Sequence, residues 1–146
     1  MMIQYPMVFD YTADGGAGIA ARWNTVSPER RESVCAIPPE FEGPGGGYSP
    51  EDFFGLALLN CFMATFKVIA EKSKVPFERL EATGKLIVDR DERGRPVMKE
   101  FEIQARIVVG TQGDPEKVRR VFAKTSESCI VAQSVKAEVK FSAEIA

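Results

Sequence analysis

Three cysteines and no histidine bound the chemistry open to this chain of 146 residues. Cys61 lies within the apolar stretch 53–70, in GGGYSPEDFFGLALLNCFMATF. Cys129 follows a short amphipathic segment, in KTSESCIVAQSVK. A thiol among apolar side chains is ordinarily an inert small hydrophobe. Two thiols brought together by folding can instead take up an oxidant and pass the oxidation from one sulfur to the other. Without imidazole there is no Ser-His or Cys-His couple and no His-based zinc or iron centre. No CxxC pair is present to anchor a thiolate metal site. Neither a metal nor another cofactor is expected.

Cys61 sits twelve positions past Ser49, the expected start of its helix, where the helix dipole no longer lowers a thiol pKa. Lys67 points roughly 240° around the helix from it. A reactive Cys61 therefore needs a cation or hydrogen-bond donor from another segment or another chain. On residue type alone it reads either as packing or as a nucleophile. Cys129, beside Ser126, Glu127 and Ser128, has a more polar setting and stays open in the same way. Cys35, in Val34-Cys35-Ala36-Ile37, reads as a strand filler. Glu51 is either a first-turn helix acid or the holder of a cation near a site. Arg22 and Trp23 read as a strand-surface pair or as part of a site. The glycines 45–47 lack the following Lys-Ser/Thr of a phosphate loop.

The elements that must position these residues are well punctuated. Strands are expected at 7–9, 19–23 and 33–37, with a turn at Asp14-Gly15-Gly16 and a loop over 42–48. Ser49, Pro50 and Asp52 predict a capped helix start, and the helix should run to about Lys74, before Pro76. Its side chains are apolar nearly all round, so a sheet and something further, expected to be a partner subunit, must cover it. A long hairpin is expected over 80–90 and 96–110, turned at 91–94. Phe101, Ile103, Ala105, Ile107 and Val109 alternate along its second strand, the period of a sheet with one wet face. Asp114-Pro115 opens a second helix with Val118, Val121, Phe122 and Thr125 on one stripe, and 136–145 reads as a last strand. The sum is one α+β domain spanning 1–146, a β arm to about residue 48 and a core from about 49.

Composition excludes several classes. A net charge of −2 and acidic neighbours around Arg30-Arg31 and Arg119-Arg120 argue against nucleic acid or an anionic membrane as partner. The start MMIQYPMVFDY has no secretory pattern, and Asn60, Thr65 and Lys67 interrupt the longest apolar stretch. Widely and irregularly spaced cysteines are no disulfide framework. A cytoplasmic setting, with thiols kept reduced, is expected.

Taken together, GPGGGYSPEDFFGLALLNCFMATF, the hairpin, the short helix and the second cysteine resemble the OsmC/Ohr family, the osmotically induced and organic-hydroperoxide-resistance proteins. The resemblance covers most of the chain in the same order. It implies antiparallel sheets with a long buried central helix, in an intertwined homodimer with two interfacial sites. It also implies a peroxidatic Cys61 and a resolving Cys129, with Glu51 orienting an arginine over the thiolate. The substrate would be an organic hydroperoxide, and an external dithiol the reductant. At the two places where the family carries that arginine this chain has Ala17 and, approximately, Glu40; Arg22 is the candidate cation, with Arg31 a second. Ile130 follows Cys129 where the family usually has proline. Three functions are compatible with these residues: a two-cysteine hydroperoxide reductase, a dimeric module binding an apolar small molecule, and an interaction domain without a pocket.

Overall fold

A strand persists only as far as its ladder partner does, and this sets the elements at the N-terminus. The computed structural model describes residues 4, 6, 8–16, 20–27 and 31–146, which form two compact units, Met1–Phe53 and Phe54–Ala146. In the first, β1 (Thr12–Gly15), β2 (Trp23–Val26) and β3 (Glu32–Cys35) make an antiparallel sheet in that order. Gly15 lies opposite Trp23, and a Cβ on Gly15 would come 2.6 Å from that of Trp23, so the position needs glycine.

These strands differ from the sequence expectation. Val8 and Phe9 are exposed and outside any strand, and Asp14 and Gly15 belong to β1 rather than to a turn. The strand expected to end at Trp23 begins there, and β3 closes at Cys35 rather than Ile37. Met7 and Ile19 fall outside the described residues. Beyond β3 the chain changes partner: Ala36 N–H donates to Tyr48 O at 3.0 Å, and Tyr48 N–H to Val34 O at 2.8 Å. Between these lie a 3-10 turn, Pro39–Phe41, and the expected irregular loop, with Gly45 and Gly46 at φ 64° and 74°.

Helix α1 (Pro50–Lys72) opens on a reciprocal capping box. Asp52 N–H donates to Ser49 Oγ at 3.0 Å and Ser49 N–H to Asp52 Oδ2 at 2.9 Å. In the second unit, β4 (Arg79–Arg90) and β5 (Pro96–Val108) form the expected hairpin. Asp91 closes its turn, the carboxylate accepting the N–H groups of Arg93 and Arg95 at 2.8 and 2.9 Å. Helix α2 (Pro115–Ser128) is capped by Asp114, which accepts from Glu116 N–H at 2.9 Å. A short helix that the sequence does not announce, α3 (Ile130–Gln133), follows at once. Strand β6 (Glu138–Ile145) then pairs parallel to β5, an orientation that requires a crossover, here α2 and α3. The architecture is α+β, with antiparallel sheets, this one parallel addition and a long central helix.

The core of the second unit is the contact between one stripe of α1 and the inner face of its sheet. Leu58, Phe62, Phe66 and Ala70, each four residues apart, pack with Phe101, Ile103, Ala105 and Ile107 of β5 and with Val118 and Val121 of α2. Phe101 fits because glycine faces it twice: a Cβ on Gly84 or Gly55 would press into its ring. The Phe62 ring lies 6.2 Å from that of Phe66, 6.0 Å from Phe122 of α2 and 6.1 Å from Phe141 of β6. By length and composition α1 could cross a membrane, but this stripe is the hydrophobic core. Leu56, Ala57, Ala64 and Val68 stay exposed on another flank, so one chain covers the helix on one side only. Phe62→Ala is expected to lower the unfolding free energy by about 3–5 kcal/mol, read as a lower urea midpoint at unchanged slope.

Candidate functional site

The buried stripe of α1 carries Cys61 with it. Because Phe62 turns into the core, Cys61 lies at the stripe's margin, half-buried, where α1 meets the end of α2. Cys129 is fully buried and stands between two helices. Its backbone is extended, at φ −65° and ψ 109°, which interrupts the helical run after Ser128. Its N–H still donates to Thr125 O at 3.1 Å, and its carbonyl accepts Gln133 N–H at 3.0 Å. All three cysteines are free thiols.

The two thiols interact, and their surroundings pull them in opposite directions. Burial pushes the Cys61 thiol up, but it is outweighed by the Cys129 thiol, the Val131 N–H, the Thr65 hydroxyl and the Ile130 N–H. Together these hold Cys61 below the ordinary cysteine value. Thr65 Oγ1 lies 3.8 Å from the sulfur. Cys129 is driven the other way, to about 11, first by burial and then by Cys61 itself. The pair is therefore polarised, with one sulfur biased toward thiolate and the other held as thiol. No cation is among the dominant influences on Cys61; donors stabilise it instead.

Of the four residues singled out from sequence, the structure brings Cys61 and Cys129 together. Glu51 and Arg22 belong to the first unit. Among the described residues Glu51 Oε2 is buried without a hydrogen-bond partner, and a carboxylate oxygen left so carries a desolvation cost that a cation would offset. Arg22 is exposed and donates through Nε to Gly45 O at 2.9 Å, bracing the glycine-rich loop. Cys35 is buried at the end of β3 with Thr25 Oγ1 3.6 Å from its sulfur. Thr65, Ile130 and Val131 escaped the sequence reading. Thr65 alone left a signal, one helical turn beyond Cys61, while backbone N–H groups have no side-chain signature. Among the described residues no group of three His, Cys, Asp or Glu could hold a metal ion.

A family model described as OsmC-like protein matches residues 43–144. YmaD, an uncharacterized protein of Bacillus subtilis, is 24% identical over 112 residues, 75% of this chain and 74% of that one. An OsmC-like protein of unknown function from Vibrio cholerae superposes with a TM-score of 0.80 at 18% identity, over 97% of this chain and 100% of its own. An organic hydroperoxide resistance protein OsmC from Legionella pneumophila gives 0.72 at 22%, over 95% and 99%.

The polarised pair has a signature in alkali. The stability due to the raised Cys129 value is intact below the unfolded value, 9.0, and is lost as pH climbs toward about 11. The lowered Cys61 value acts in the opposite sense, so its contribution is already complete in that window. Urea midpoints of the native chain should thus fall more steeply between pH 9.0 and about 11 than those of Cys129→Ala. Equal slopes for the two would show that Cys129 is not held as a thiol.

Proposed function

The chain belongs to the OsmC-like protein family, and from that premise we propose that it is a homodimeric, thiol-dependent reductase of organic hydroperoxides, working in a reducing, cytoplasmic setting. The single observation that carries this reading is the opposite polarisation of Cys61 and Cys129 in one cluster. The Cys61 thiolate attacks the terminal peroxide oxygen, the O–O bond breaks, and the alkoxide leaves and takes up a proton as the alcohol. Cys61 is left as sulfenic acid. The Cys129 sulfur then bonds to the Cys61 sulfur, and the sulfenic hydroxyl departs with the Cys129 proton as water. An external dithiol reduces the disulfide and becomes a disulfide in turn.

The two opposed shifts order these steps. At neutral pH Cys129 keeps its proton and does not compete for the peroxide. Part of its elevation comes from Cys61, so conversion of Cys61 to a neutral sulfenic acid eases Cys129 toward thiolate when it is needed. The unpartnered Glu51 oxygen supports the role of orienting acid for a guanidinium, with Arg22 as the candidate cation within this chain. The exposed flank of α1, with Leu56, Ala57, Ala64 and Val68, supports burial against a second copy.

A different observation favours a second reading. Donors rather than a cation dominate the surroundings of Cys61, as suits a dimeric module that binds an apolar small molecule and does no peroxide chemistry. Peroxide consumption separates the two. The reduced native chain should consume one equivalent of an organic hydroperoxide and yield a Cys61–Cys129 disulfide by peptide mapping. Cys61→Ser should consume none, and Cys129→Ser should accumulate a dimedone-reactive sulfenic acid. Both thiols remaining free after treatment would sink the reductase. In sedimentation, Leu56→Glu should shift the native dimer toward monomer.

A further inference from the structure

Helical hydroxyls have a default partner, the carbonyl four residues earlier, and this chain follows the habit repeatedly. Thr125 donates to Val121 O at 2.7 Å, Ser126 to Phe122 O at 3.1 Å and Ser134 to Ile130 O at 2.8 Å. Thr65 stands four residues after Cys61 on α1 and has the same opportunity. Its hydroxyl meets the Cys61 sulfur instead, at 3.8 Å, a hydrogen-bond distance for an atom as large as sulfur. The half-buried pair is fixed by the stripe on either side, Phe62 and Phe66, which holds α1 in one rotation.

The backbone N–H groups of Ile130 and Val131, on the opposing chain segment, add to the influences that lower the Cys61 thiol. These amides are placed by the break at Cys129, where the chain leaves α2 and starts α3. Cys129 is the titratable group that dominates there, and Lys67, on α1 itself, points roughly 240° away around the helix. The sulfur therefore faces a set of neutral donors on two sides.

We propose that Thr65 is a positioning residue for Cys61, its hydroxyl donating to the sulfur and completing, with the Ile130 and Val131 amides, a cradle of neutral donors around the thiolate. The role rests on Cys61 being the reactive cysteine of the proposed reductase, but it belongs to the thiolate and not to the peroxide. A hydroxyl that already faces the sulfur in the thiol form needs no turn when the proton leaves, and its contact then becomes a charge-assisted bond. The same donor faces the Cys61 sulfur while the alkoxide departs, and there it resists loss of the negative charge only weakly because it carries none of its own.

The test is the pH profile of Cys61 alkylation by iodoacetamide in the reduced full chain, followed residue by residue by mass spectrometry. Below the midpoint the rate tracks the thiolate fraction. Thr65→Val keeps the β-branch and the size. It should move the midpoint up by about half to one unit and lower the rate at neutral pH by about three- to tenfold, with the alkaline plateau unchanged. Thr65→Ser should restore the native profile, and Thr65→Ala serves as a second variant should the valine disturb folding. A profile identical to the native one overturns the role, as does a loss that is uniform across pH, which reports access rather than charge. Hydroperoxide consumption by the native chain is measured in parallel. A shifted profile without consumption retires the reductase and leaves the cradle standing, whereas consumption without a shift removes Thr65 alone.

Discussion

The ring of Phe62 is the contact on which the rest of the second unit depends. It meets the rings of Phe66, Phe122 and Phe141, and so ties the central helix at once to α2 and to the last strand. Its neighbour in sequence is Cys61. A helix has one rotation about its axis, and the deep side chain on the buried stripe fixes it. Where Cys61 points is therefore a consequence of where Phe62 is buried. The other sulfur is set by the same packing, because Phe122 lies on the helix that ends at Cys129. Hydrophobic burial, which has no direction of its own, here gives two polar atoms their geometry.

The resulting cluster stabilises charge with dipoles. The Cys129 thiol, backbone amides and a hydroxyl lower one thiol against the effect of burial, and burial raises the other. Such donors are fixed by the fold and need no reorganisation as charge develops, although each is weaker than a guanidinium. The buried oxygen of Glu51, without a partner among the described residues, shows a second electrostatic requirement in the first unit. A carboxylate at the first turn of a helix already gains from the dipole, yet its second oxygen remains unpaired.

Much of this was legible in the residues, and the reasons differ by element. Ser49 with Asp52, and Asp114 with Glu116, act over three residues or fewer, so their caps can be read locally. The alternation from Phe101 to Ile107 carries its own period and identified β5 with its inner face. The N-terminal strands have four residues each, and their ends are fixed by pairings such as Thr12 with Val26 and Trp23 with Cys35. Nothing within four residues encodes such a partner. The direction of β6 was likewise hidden, because alternation is the same in parallel and antiparallel strands and only the crossover decides between them. At the site, the two cysteines were visible as residue types. The amides of Ile130 and Val131 were not, since every residue but proline has one. Thr65 breaks an apolar run in the sequence, but its spacing from Cys61 is the more telling feature.

The break in the helical run at Cys129 has a mechanical consequence. A cysteine in the middle of a helix can change rotamer, but its Cα is tied to the turn of backbone around it by several hydrogen bonds. Cys129 instead sits at a joint, where two rigid rods meet at a residue already outside helical geometry. The rod before it is clamped into the core by Val118, Val121 and Thr125, while the one after it is a single turn with no buried residue. The Ile130 and Val131 amides belong to the second rod, whose Val131 and Ala132 pack against the same core, so the buried sulfur between the rods and the donors beside it are held by one set of contacts.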